Sequence, residues 1–142
     1  THPLFLEQLE KLTKAVEKAK KKNPKDYQKS ANAKLLAAIR KLAFEDIPVD
    51  PARPEYRQGG TLGAKRKHWF RAKFASGRFR LFFRYSSSAK IIVYAWVNDQ
   101  NTLRTYGSKS DAYAVFTKML DKDNPPDDWD ALMAASVDLP ES

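Results

Sequence analysis

The chain has no cysteine, which excludes disulfide staples, thiolate metal sites and a cysteine nucleophile, and suits a reducing cytosol. Glycine is scarce, with five in 142 residues. The cluster Gly59-Gly60…Gly63 lacks the Lys-Ser/Thr pair of a nucleotide phosphate loop and follows no clear strand. No apolar run approaches a membrane span, and no leader-like segment precedes the first helical stretch. The expectation is a cytoplasmic protein without a membrane partner. The most telling absence is negative charge: between Glu55 and Asp99 there is no Asp or Glu at all. A nuclease that works through Mg²⁺ needs grouped carboxylates. The central segment offers none, so that mechanism is disfavoured here and no metal or cofactor is expected.

The same segment carries ten cations: Arg57, Lys65, Arg66, Lys67, Arg71, Lys73, Arg78, Arg80, Arg84 and Lys90. The whole chain has 26 Lys/Arg against 17 Asp/Glu, net +9, so the remainder balances at 16 against 17. The cations are interleaved with Trp69, Phe70, Phe74, Phe79, Phe82, Phe83, Tyr85, Tyr94 and Trp96. Such a mixture folds; a basic disordered tail would lack the aromatics. A basic surface on rigid aromatic strands points to a polyanion, first of all nucleic acid.

At 42% hydrophobic, 142 residues suffice for one domain, 1–142, with a substantial core. Phe5, Leu9, Leu12 and Val16 recur at helical spacing and predict a first helix over Pro3–Lys22, ended by Asn23-Pro24. Its terminal lysines Lys18, Lys20, Lys21 and Lys22 read as a solvated, dipole-favoured C-terminus. Leu35, Leu36, Ile39 and Leu42 predict a second helix over residues 26–44, and residues 48–63 read as loop. Strands follow at 69–74, 78–85 and 90–97, with turns at Ser76-Gly77 and around residues 86–89. Ser110 or Asp111 caps a third helix carrying Tyr113, Phe116 and Leu120, and a short last helix or turn surrounds Trp129 to Met133. The order implies an α+β domain whose antiparallel sheet is covered on one face. Strand alternation puts Arg71 and Lys73 on one face, and Arg78, Arg80, Phe82 and Arg84 together on one face of the next strand. That leaves a greasy side to bury and a cationic plate on the other.

Fixed Arg and Lys side chains can stabilise the extra charge of a pentacoordinate phosphate. A lysine crowded by cations can approach general-base duty, and RNA brings its own nucleophile in the 2′-OH. The same residue types also serve a passive phosphate-binding surface, and the strand pattern leaves both readings open. A histidine pair, His2 with His68, is the weaker acid–base candidate, because His2 stands at the start of the chain. Trp69 and Trp96 could stack on bases, but large strand aromatics more often belong to the core, and that reading is preferred.

The run Gly77-Arg78-Phe79-Arg80-Leu81-Phe82-Phe83-Arg84-Tyr85, with Trp96-Val97-Asn98-Asp99-Gln100-Asn101-Thr102-Leu103-Arg104-Thr105-Tyr106-Gly107, resembles the YhaV family of the RelE/ParE toxin superfamily. Gly60-Thr61-Leu62-Gly63, Asp111-Ala112-Tyr113 and Pro125-Pro126…Asp128-Trp129 extend the resemblance over nearly the whole chain. It implies a RelE-like fold with an N-terminal helix pair, an antiparallel sheet and a C-terminal helix. It also implies a ribonuclease toxin that inhibits translation by cutting mRNA, commonly at the ribosome; the lack of a carboxylate cluster makes the expected cleavage metal-independent. A PrlF-like antitoxin of AbrB type would neutralise it, and the complex would bind its own promoter DNA. By the same resemblance Arg80, Lys73, Arg104 and Tyr106 are the catalytic candidates, with Tyr113 competing for the tyrosine's place. Arg71, Arg78 and Arg84, with Lys65, Arg66 and Lys67 before the sheet, would bind RNA. The alternatives are a non-catalytic nucleic-acid-binding module and a ParE-like toxin that binds a protein.

Overall fold

A computed structural model describes residues 1–59, 61–99 and 111–140. The first helix, α1 (Pro3–Lys22), starts where His2 Nδ1 accepts the Leu4 N–H at 3.1 Å and Pro3 occupies the first turn, and it ends with Lys20, Lys21 and Lys22 against the C-terminal dipole. The second expected helix starts later, and helical backbone continues past its expected end to a last turn at Ile47–Val49. Tyr27–Lys29 forms a single 3₁₀ turn, Ser30 adopts an extended backbone and caps α2 (Ala31–Lys41) by accepting the Ala33 N–H at 3.2 Å. After Lys41 the helix widens to a π turn, Leu42–Asp46, in which Ile47 N–H reaches back to the Leu42 carbonyl. Pro48 follows: it has no N–H to give the Phe44 carbonyl, and its ring crowds the preceding turn.

Three strands form one antiparallel sheet in the order β1 (Trp69–Phe74), β2 (Phe79–Ser86), β3 (Ile91–Val97). Their ends lie within one residue of the sequence reading. The turn between β1 and β2 holds Ala75, Ser76 and Gly77 at positive φ, and Gly77 at +80° takes the position that tolerates this at least cost. A bulge between Phe82 and Phe83 shifts the β2–β3 register.

The expectation of a sheet covered on one face is corrected. Ala72, Leu81, Phe83, Tyr94 and Val97 bury against Phe5, Leu9, Ile39, Leu42 and Ile47 of the N-terminal helices. The opposite face is covered too. Helix α3 (Ala112–Asp121) and the short α4 (Trp129–Ala135) bring Phe116, Leu120 and Leu132 onto Trp69, Phe82 and Trp96. Phe116 stacks on Phe82 at 4.3 Å and meets the Trp69 ring edge-on at 5.1 Å. The reason lies in the strands: three large aromatics share the face that carries the arginines, and the Tyr113–Phe116–Leu120 stripe buries them. Truncating Phe116 to Ala should cost about 3–5 kcal/mol. The cationic plate therefore does not exist as a continuous surface. It is divided into two ends by an aromatic centre. Among the described residues no helix is long and apolar enough to cross a membrane.

Candidate active site

One end of the face gathers Arg71, Lys73, Arg80 and Tyr113. Lys73 and Arg80 are direct partners across the β1–β2 ladder, and Arg71 lies two residues back on the same face. Tyr113 arrives from α3, whose start is fixed by Asp111: its carboxylate accepts the Tyr113 N–H at 3.0 Å. The Tyr113 hydroxyl oxygen accepts from Arg71 Nε at 2.8 Å and from Arg80 Nε at 3.1 Å. The Arg80 guanidinium also lies 5.4 Å from the Tyr113 ring centroid. Each arginine is held a second time, Arg71 by the Glu55 carbonyl and Arg80 by the Gly77 carbonyl, both at 2.5 Å.

Among the described residues no carboxylate forms an ion pair with Arg71, Lys73 or Arg80. Two guanidinium groups converge on one tyrosine oxygen, and an exposed lysine stands beside them. Like charges held this close repel, and a bound anion relieves the repulsion. Arg80 is 4% exposed, Arg71 is half-buried and Lys73 is open to solvent. A phosphate would thus meet Lys73 and Arg71 first, with Arg80 as a fixed charge behind them.

The other end of the face is built differently. Arg84 lies between the Trp69 and Trp129 rings, at 5.3 and 5.5 Å, and donates to the Asp127 carbonyl at 2.6 Å. Burial pulls its guanidinium below the usual arginine range, while the Asp127 and Asp128 charges oppose the shift. Asp127 Oδ1 accepts from the Trp69 indole at 2.7 Å and lies 2.9 Å from His68 Nε2. Burial alone would raise the Asp127 carboxyl; the bonds from Trp69 and His68, with the charges of His68 and Arg66, outweigh it and hold it below the usual range.

Of the residues expected to bind RNA, Arg71 joins the cluster. Arg84 is enclosed as described, and Arg66 is tied to α3 through Asp121 at 2.7 Å. Lys65, Lys67 and Arg78 are exposed. Arg104 and Tyr106, expected to be catalytic, lie outside the described residues. The two histidines serve separate ends, His2 capping α1 and His68 beside Asp127. Trp69 and Trp96 are core residues, as preferred from sequence. Sequence reasoning missed Asp127, whose only signal was a Pro-Pro-Asp-Asp-Trp segment, and it gave Asn98 no role beyond the motif. No three His, Asp or Glu side chains gather into a metal-binding group among the described residues.

Comparison with known proteins identifies the family. Residues 1–137 match the model of the YhaV toxin family, described as a toxin with endonuclease activity, of a toxin–antitoxin system. The chain is 52% identical over 132 residues to the ribonuclease toxin YhaV of Escherichia coli K12, covering 92% of this chain and 86% of that protein. The toxin YhaV of strain CFT073 is similar to the same extent, as is that of Escherichia coli O157:H7. No solved structure matches the chain. With the match running through the strand hairpin, the capped tyrosine helix and the Trp129 segment alike, the chain belongs to the YhaV family of toxin–antitoxin endonucleases.

Proposed function

We propose that this toxin is a ribonuclease that cuts RNA without a metal, using the substrate's 2′-OH as nucleophile. The name of the K12 relative supports RNA as substrate. The observation that carries the mechanism is the cluster itself: Arg71 and Arg80 on one tyrosine oxygen, Lys73 alongside, and no carboxylate among the described residues paired with any of them. Attack of the 2′-oxygen on phosphorus builds a pentacoordinate phosphate with added negative charge. Pre-fixed cations stabilise that charge without reorganising. Lys73, the exposed member, is placed to take the 2′-OH proton or to neutralise the phosphate. Arg71 and Arg80 hold the non-bridging oxygens, and the Tyr113 hydroxyl keeps the two guanidinium groups in register. Bond making at phosphorus expels the 5′-oxygen, which takes up one proton, from water or from the group that accepted the 2′-OH proton, so that a 2′,3′-cyclic phosphate and a 5′-OH end are left.

In this reading Arg104 and Tyr106 complete the site, and Arg78, Lys65 and Lys67 contact flanking phosphates. Arg84 and Arg66 have structural work instead. The toxin acts as one domain over residues 1–142, in the cytoplasm, on mRNA at the ribosome, and its cutting stops translation. Its antitoxin is PrlF-like with an AbrB-type fold, and the complex binds promoter DNA. The test is cleavage of an oligoribonucleotide in EDTA, with and without ribosomes. Cleavage should persist in EDTA and vanish when the cut site carries 2′-deoxyribose. Loss in EDTA with recovery on adding Mg²⁺ would overturn the mechanism.

A further inference from the structure

We infer that Asn98 is a positioning residue for the nuclease site, acting through the backbone beneath Arg80; this rests on the reading of Arg80 as a phosphate-stabilising charge. The regular β2–β3 pairing runs out at Leu81↔Val97. One residue further, Asn98 prolongs it with its own side chain. Its Oδ1 accepts the Arg80 N–H at 2.6 Å, its Nδ2 donates to the Arg78 carbonyl at 3.1 Å, and its backbone N–H points to the Arg80 carbonyl at 3.4 Å. A single amide thus grips both sides of Phe79. Asn98 is 2% exposed, so no water stands ready to replace either bond.

The grip matters because of what it aims. From this fixed backbone the Arg80 side chain reaches the Gly77 carbonyl with one nitrogen and the Tyr113 hydroxyl with another, and Tyr113 in turn holds Arg71. A shift of Arg80 at its root moves all three. A neighbouring amide supplies the contrast. Gln8 pairs with both the N–H and the carbonyl of Val97, at 3.0 and 2.6 Å, on the outer edge of the same strand end. It makes as many bonds to β3 as Asn98 makes side-chain bonds to the Arg78–Arg80 segment, but it holds the strand and touches neither Arg78 nor Arg80.

The experiment is a double-mutant cycle on RNA cleavage by the purified toxin, with thermal unfolding measured alongside. Asn98→Ala should lower kcat about 10²-fold with a much smaller change in KM, as expected for a misplaced charge. In an Arg80→Ala background the same change should cost less than about twofold, because its target is gone. Asn98→Asp keeps the acceptor for the Arg80 N–H and should recover at least about tenfold of the lost rate. Gln8→Ala should lower the melting temperature yet keep kcat within about twofold. If Asn98→Ala unfolds, the cycle is run with Asn98→Asp. Full additivity with Arg80→Ala, or an equal loss of kcat in Gln8→Ala, would overturn the positioning role alone. Undiminished cleavage by Arg80→Ala would overturn the reading of Arg80 itself.

Discussion

Arg80 and Arg84 sit on the same strand, the same face and four residues apart, yet the molecule treats them oppositely. Arg84 is closed between two tryptophans and spends its donor on the Asp127 backbone, next to acidic residues of the chain's own C-terminal segment. Arg80 is equally buried but faces other cations and a tyrosine hydroxyl that it shares with Arg71. One end of the sheet face is electrically satisfied from within. At the other, no carboxylate among the described residues pairs with the cations. On the proposed function, a buried charge without an internal counter-charge is the one that receives the phosphate.

The comparison can be broken most sharply at Arg80. Arg80→Ala should reduce kcat for RNA cleavage by about 10²–10³-fold, the usual cost of one transition-state charge donor, while the protein stays folded by circular dichroism. Arg84→Ala should do the reverse, losing on the order of 2 kcal/mol in denaturant unfolding while the folded fraction cuts RNA at close to the normal rate. Tyr113→Phe retains the ring against Arg80 and Phe82 but removes the oxygen that couples the two arginines. A fall of about tenfold in kcat, with little change in melting temperature, is expected for one lost hydrogen-bonded pair.

The smallest effect belongs to Asp127. Its carboxyl is held below the ordinary value of 3.8, so its stabilising contribution is fully present above that value and disappears as pH falls through the lowered one. Asp127→Asn should therefore be less stable than the parent at neutral pH, with the difference closing below about pH 4 in acid-unfolding curves. A difference that widens on acidification would reverse this account of the Arg84 end.

Much of this was legible in the sequence for physical reasons. The three strands and α1 were placed closely because alternation, Pro3, Asn23-Pro24 and Ser76-Gly77 are local signals. The second helix was begun too early, at 26 instead of Ala31, because the Ser30 cap went unread; its apolar stripe starts only at Leu35, and at the other end helical backbone runs past 44 through the π turn and Ile47–Val49. Lys73 and Arg80 were placed on the same side of the hairpin correctly, since side chains alternate between faces along both strands; their direct pairing comes from the register. The open plate was wrong because counting charges on a face ignored the aromatics among them: Trp69, Phe82 and Trp96 demand a cover, and α3 supplies it. Charge counting hid a second region as well. Residues 1–41 carry eleven Lys/Arg against four acidic residues, an excess masked in the overall balance by acidic residues 45–55 and the acidic C-terminal part. Ten of those eleven are lysines, whereas six of the ten central cations are arginines. Planar guanidinium groups suit fixed, hydrogen-bonded placement; flexible ammonium groups suit a solvated helix face. The distinct fates of Arg80 and Arg84 depend on Asp127 and Tyr113, contacts more than thirty residues away that no local pattern announces.

The most direct measurement is arginine side-chain NMR. The Nε–H resonances of Arg71, Arg80 and Arg84 would be followed as an oligonucleotide blocked by 2′-deoxyribose at the cut site is added. The account predicts saturable shifts at Arg71 and Arg80, with Arg84 unmoved. Shifts at Arg84 with Arg71 and Arg80 silent would place the nucleic acid at the wrong end of the sheet and contradict it.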